Sequence, residues 1–158
     1  MKLVVDSNIV FSALLDTNSL IASLLLDEHS PFDFCTVEYL IEEIEKHEDK
    51  ILRHSKISLD EFEETKKQIY QNIKFYPEAV IPYEIWIKSL RWVRDVDMED
   101  LAFVALSEFS DAPLWTGDKK LMLGLLSKGF GNCIATHEVV ELEKSLKKSQ
   151  QNNDDFKK

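Results

Sequence analysis

Only two cysteines, four glycines and four prolines occur among 158 residues. So little cysteine excludes a disulfide scaffold, and so little glycine and proline excludes collagen-like repeats and Pro/Gly-rich low complexity. Cys35 and Cys133 stand far apart without a CxxC pair, each inside an apolar run, which predicts two buried, reduced thiols. No stretch approaches the ~18 apolar residues of a membrane span. The N-terminal run Leu3-Val4-Val5 meets Asp6 too early for a signal peptide. The expectation is a cytoplasmic protein with no membrane partner. Positive charge is short as well: the formal balance is −10. This argues against a protein held on nucleic acid by bulk positive charge. The segment Lys144–Lys158 carries about +3, leaving roughly −13 on the body before it.

What is present, 44% hydrophobic and 30% charged residues, suits one domain around a single core. Leu3–Val5 reads as a buried strand stopped by Asp6-Ser7-Asn8. Helical patterns follow over Ile9–Leu15 and, capped by Ser19, to Leu26. Phe32–Thr36 reads as a second strand, and Val37–Arg53 as an amphipathic helix. Ser58 with Glu61 is a capping-box signature for a helix to about Gln71. Ala79–Ile81, between Pro77 and Pro82, reads as a strand or ordered loop. Tyr83–Val93 and Met98–Phe109 read as helices, Pro113–Thr116 as a strand, Leu121–Leu126 as a helix, Cys133–Thr136 as a strand and His137–Leu146 as a helix. Short apolar strands alternating with amphipathic helices predict βαβ crossovers, hence an α/β layer sandwich on a mainly parallel sheet covered on both faces. The polar stretch Ser149–Asp155 has nothing to bury and is expected to fray.

Ligands of open parallel sheets bind beyond the carboxyl ends of the strands. Asp6 and Asp118 each follow a strand and fall at that edge. Asp97 and Asp100 open a helix, where Asp97 serves equally as a cap or as a ligand. Glu42 and Glu43 lie early in the Val37–Arg53 helix. Neighbours there point about 100° apart, so at most one faces the same spot as Asp6. Together these acids form a carboxylate cluster that calls for cations. Hard oxygen donors without convergent Cys or His select Mg²⁺ or Mn²⁺ over Zn²⁺.

Val4-Val5-Asp6-Ser7-Asn8, Leu40-Ile41-Glu42-Glu43-Ile44, Asp97-Met98-Glu99-Asp100 and Trp115-Thr116-Gly117-Asp118 occur in the order seen in PIN-domain nucleases. The chain resembles that family from Met1 to about Glu143, with 144–158 as the end of the last helix and a flexible polar tail. The resemblance implies a three-layer α/β/α sandwich on a five-stranded parallel sheet. It implies that Asp6, Glu43, Asp100 and Asp118 are the catalytic acids and metal ligands, with Asp97 an auxiliary ligand and Asn8 and Thr116 supporting. It further implies hydrolysis of single-stranded RNA with Mg²⁺ or Mn²⁺, as two ions, and no covalent enzyme intermediate. The competing expectation is a catalytically silent PIN-like module that binds RNA or protein.

Substrate contacts are sought in Lys88, Arg91 and Arg94, which form one helical stripe towards Asp97, and in Lys119 after Asp118. The stripe Glu43, His47, Lys50 and His54 lies on the other side, and Trp92 or Trp115 offers a stacking face. His29 and His137 read as surface or capping residues. If the enzyme is the toxin of a toxin–antitoxin pair, Leu14, Leu15, Leu20, Leu24 and Leu25 are candidates for the antitoxin's contact. The other readings of those leucines are packing on the sheet or a homodimer.

Overall fold

Leu3, Val4 and Val5 are wholly buried in β1 (Lys2–Val5), the central strand of a five-stranded sheet. The computed structural model describes the backbone of residues 1–155 and the side chains of residues 1–149. β1 pairs in parallel with β2 (Asp33–Val37) on one side and β4 (Leu114–Trp115) on the other. β2 pairs with β3 (Lys74–Tyr76), and β4 with β5 (Cys133–Ile134), both in parallel. The order is β3-β2-β1-β4-β5. Short strands suffice because both faces are covered, so each residue buries apolar surface whichever way it points.

The chain winds outward from β1 through β2 to β3, then returns to the far side of β1 as β4. With right-handed crossovers, that reversal puts the helices of the two halves on opposite faces. One layer holds α1 (Ser7–Leu15), α2 (Leu20–Leu26), α3 (Tyr39–His54) and α4 (Leu59–Gln71). The other holds α5 (Tyr83–Val93), α6 (Leu101–Ser110) and α7 (Lys119–Ser127). The sandwich and its parallel sheet are as expected from the alternating pattern.

Local signals explain several boundaries. Ser19 Oγ accepts from the Ala22 amide at 3.1 Å, and Ser58 with Glu61 forms a reciprocal capping box. Asp97 accepts from the Glu99 amide at 2.9 Å and caps a 3₁₀ turn, Met98–Asp100, which leads into α6. The edge strand departs from expectation. It is Lys74–Tyr76, before Pro77, while Glu78–Val80 is a 3₁₀ turn. Lys74 is exposed and Phe75 and Tyr76 are half-buried, so the strand carries no continuous apolar run to announce it. The last helix, α8 (Thr136–Asp155), continues through the stretch expected to fray. Extending a helix already anchored costs little, and α8 is anchored where Lys147 bridges Asp27 at 2.7 Å and Glu143 at 2.9 Å. Phe156–Lys158 of the expected flexible tail lie outside the described residues.

Cys35 is buried and Cys133 half-buried, both as free thiols. Leu14, Leu24 and Leu25 belong to the core, which removes them from any partner-facing surface. Of the five leucines considered for that role, Leu20 is exposed and Leu15 half-buried. Among the described residues, no single helix is long and apolar enough to cross a membrane.

Candidate active site

The reversal of strand order opens a crevice at the carboxyl ends of β1 and β4, and Asp6 stands in it directly after Val5. Asp6 is completely buried. Its Oδ2 accepts from Thr116 Oγ1 at 2.6 Å and from Asn8 Nδ2 at 2.8 Å. Asn8 Nδ2 also donates to Thr116 Oγ1 at 3.0 Å, while the Gly117 amide donates to Asn8 Oδ1 at 3.0 Å and fixes the side-chain amide's orientation. The Asp118 amide donates to Thr116 Oγ1 at 3.1 Å, completing a network that ties the end of β1 to the turn after β4. Among the described residues, Oδ1 of Asp6 has no partner in good hydrogen-bond geometry, the backbone amides of Ser7 and Asn8 giving the carboxyl only weaker support. A buried carboxylate oxygen left bare is costly in protein. Burial drives the Asp6 carboxyl up to about 6, against the hydrogen bond from Thr116, with the nearby Asp118 charge adding to the rise.

A cavity of about 250 Å³ lies beside this network. Asp100 lines it and is pushed to about 8, first by burial and then by the charges of Asp6, Asp97 and Asp118. Asp97, Glu99 and Asp118 also line it, as does Asn8. Asp118 uses Oδ1 to cap α7, accepting from the Leu121 amide at 3.0 Å. Glu43, only 7% exposed, reaches the cavity from α3, whereas the exposed Glu42 lines a separate groove. This orientation answers which of the two neighbours faces the acids. Burial raises the Glu43 carboxyl, but hydrogen bonds from Lys46 and Tyr39 outweigh it and hold Glu43 below the usual range. Lys46 Nζ lies 2.8 Å from Glu43 Oε1.

The other predicted contacts fare unevenly. Lys88 on α5 is paired with Glu108 of α6, and Arg94 is an exposed neighbour of Asp95. Neither they nor the exposed Arg91 and Lys119 line the cavity. Trp115 offers no stacking face, being wholly buried with its indole donating to Thr136 Oγ1 at 3.1 Å. Trp92 is half-buried and packed against Phe130. His47 and Lys50 do line the cavity, joined by Phe11 from α1. Residue patterns did not point to Phe11, Lys46 or Glu99. The Glu43–Lys46 spacing of three was the available hint for Lys46, since residues three apart on a helix are neighbours.

All the candidate ligands carry oxygen donors, which suits a hard divalent cation. Among the described residues, no three Asp, Glu, His or Cys side chains converge tightly enough to hold an ion as they stand. The bare Asp6 Oδ1 and the elevated Asp100 carboxyl are nonetheless groups that a cation would satisfy. No curated protein matches the chain. A family model described as the PIN domain matches residues 4–150, from within β1 into α8. That span takes in the strand reversal, the buried Asp6 and every acid around the crevice, so the chain belongs to the PIN-domain family, whose members are generally nucleases and typically use divalent metals.

Proposed function

We propose that the protein is a Mg²⁺- or Mn²⁺-dependent ribonuclease that hydrolyses phosphodiester bonds of single-stranded RNA. The observation that carries this reading is Asp6, buried at the strand reversal with one oxygen held by Thr116 and Asn8 and the other bare. Asp6, Asp100 and Asp118 would hold the ions, with Glu43 and Asp97 beside them. Two divalent ions would supply charge neutralisation at the phosphate and activation of water for in-line attack. The chain's own residues do the positioning. Thr116 and Asn8 lock the Asp6 carboxylate in one rotamer, and Gly117 keeps the Asn8 amide nitrogen turned towards it. The cap of α7 fixes one Asp118 oxygen and leaves the other available to the cavity.

Two observations favour a second reading, a silent RNA-binding module: Lys46 occupies Glu43, and no three carboxylates converge among the described residues. The deciding experiment incubates mixed single-stranded RNA with the protein in Mg²⁺, in Mn²⁺ or with chelator, alongside Asp6→Asn and Asp118→Asn. Cleavage lost with chelator and with both substitutions supports the nuclease. RNA binding without turnover under any metal supports the module.

A cytoplasmic setting goes with this reading, because RNA substrate and reduced thiols are found there. Its biological role divides between toxin and RNA processing. Growth arrest on induction, relieved by a neighbouring gene's product, identifies a toxin, and unaffected growth at high expression counts against one. Of the five leucines considered for a partner, Leu20 is the exposed one through which an antitoxin or a second copy would dock.

A further inference from the structure

The cavity has two unlike ends. Asp97, Glu99, Asp100 and Asp118 form the acidic end, while Phe11, His47 and Lys50 form the end between α1 and α3. His47 meets Phe11 edge-on, with ring centroids 5.8 Å apart and planes at 83°. Lys50 Nζ lies 5.6 Å from the Phe11 ring centroid. Among the described residues, Lys50 is the one lysine or arginine lining the cavity, and its ammonium has no carboxylate within ion-pair distance. Lys46, one turn earlier, is by contrast spent on Glu43. Phe11 packs against the core, but packing gives no role to the exposed cation over the ring or to the imidazole at its edge. Phe11 is not sealed in the core, and both His47 and Lys50 are exposed.

We infer that Phe11, His47 and Lys50 form a nucleotide subsite for the residue flanking the scissile phosphate. A base of the single strand stacks on Phe11 in place of the Lys50 ammonium, which swings off the ring to meet the phosphate together with His47. The inference rests on the nuclease reading for its direction, since the acidic end of the same cavity would take the scissile phosphate. Stacking on an aromatic ring is tolerant of sequence, because every base presents a π-face. The subsite therefore selects single strands over duplex, whose bases are not free to leave their stack. It confers little base preference.

The test uses a labelled single-stranded RNA hexamer and its copy with one abasic position, titrated in Mg²⁺ by fluorescence anisotropy. The parent is the full chain carrying Asp6→Asn, so that binding is read without cleavage. Phe11→Leu in this parent is expected to weaken the intact hexamer about tenfold and the abasic hexamer hardly at all. Lys50→Met is expected to weaken both and to reduce the salt dependence by about 0.7, the contribution of one phosphate contact on a single strand. Thermal melting checks that each variant is folded, and His47→Gln serves as a third, surface-exposed variant in case Phe11→Leu disturbs packing. All three variants binding within twofold of the parent overturns the subsite, as does equal loss on intact and abasic RNA in Phe11→Leu, or no RNA binding by either the parent or the unsubstituted chain. Metal-dependent cleavage by the unsubstituted chain is scored separately. Cleavage with an unaltered KM when the same three substitutions are made in the unsubstituted chain removes the subsite and leaves the nuclease. Subsite-dependent binding without cleavage removes the nuclease and leaves the subsite.

Discussion

Asp6 concentrates the chemistry of the crevice into one side chain, and its environment sets two opposed expectations. Asp6→Asn keeps an acceptor for Thr116 while removing a buried charge. RNA cleavage is therefore expected to disappear although the variant melts at the same or a higher temperature at pH 7.5, in cleavage and thermal-melt assays run on one preparation. A lower melting temperature would show that the loss of activity reflects damage to the fold. The pH dependence follows from the same burial. The Asp6 carboxyl rises from 3.8 to about 6 and that of Asp100 from 3.8 to about 8. Between the unfolded and folded values the native state binds more protons than the unfolded chain, so stability is fully present below about pH 4 and is lost as pH rises. For Asp6 the loss is complete above about pH 6 and amounts to about 3 kcal/mol, the free-energy equivalent of that rise; for Asp100 it continues to about pH 8. Denaturant melts in chelator are expected to show this decline, and a flat or rising profile across pH 4–8 would contradict the burial of these acids. Some of this was legible in the residues alone: an acid after each of two adjacent parallel strands must lie at their carboxyl edge. That Asp6 is sealed from solvent with one oxygen bare was not legible, because it depends on Thr116, 110 residues away.

Elements place the acids, and the least conspicuous contact between elements bears on two of them. Gly124 of α7 packs against Val96, immediately before Asp97. A Cβ at position 124 would stand 2.6 Å from Val96 Cγ2 and 3.0 Å from Cγ1. Both are stiff β-branched methyls rather than the end of a flexible chain. Gly124→Ala thus gains helix propensity but forces α7 away from the segment carrying Asp97, while α7 itself begins at the Asp118 cap. Overpacking of this kind costs about 1–3 kcal/mol. The expected result is a net loss of stability in denaturant melts that Val96→Ala restores in the double variant; additive losses would show that the two residues do not meet. The helices were readable in advance because amphipathic spacing and caps such as Ser19 and Ser58 are local signals. The strands were harder. β4 and β5 contain two residues each, and the edge strand Lys74–Tyr76 shows neither alternation nor an apolar run. Its pairing with Cys35–Val37 is supplied by the neighbouring strand, which is tertiary information. The same limit explains the leucines of α1 and α2: a helix covered by α3 and α4 buries more of its circumference than a lone amphipathic helix would.

For the whole molecule, a net charge of −10 sets the terms on which an anionic polymer can approach. Five carboxylates line one small cavity, so without divalent cations the crevice repels phosphate. Burial, reinforced by the same repulsion, raises Asp100 to about 8 and leaves the unliganded protein below its attainable stability. A cation that binds the native crevice and not the unfolded chain stabilises by mass action, about 2.7 kcal/mol at a hundredfold excess over its Kd. For a domain of this size, that corresponds to an increase in melting temperature of roughly 5–10 °C. Titrating Mn²⁺ or Mg²⁺ into chelator-treated protein at pH 7.5 and fixed ionic strength is expected to produce this rise. Asp6→Asn and Asp118→Asn should diminish it, while Lys88→Met, at a helix ion pair away from the cavity, should not. RNA affinity should increase over the same range of metal concentration as the melting temperature. Equal amounts of charge supplied as NaCl should lower RNA affinity, because monovalent salt screens Lys50 without bridging carboxylate to phosphate. If Mn²⁺, Mg²⁺ and NaCl had the same effect, the acids would be acting as a diffuse surface charge and the crevice would have no claim on a metal. If only the divalent ions stabilise the fold and recruit RNA together, one set of carboxylates accounts for both the instability of the empty crevice and its affinity for a polyanion.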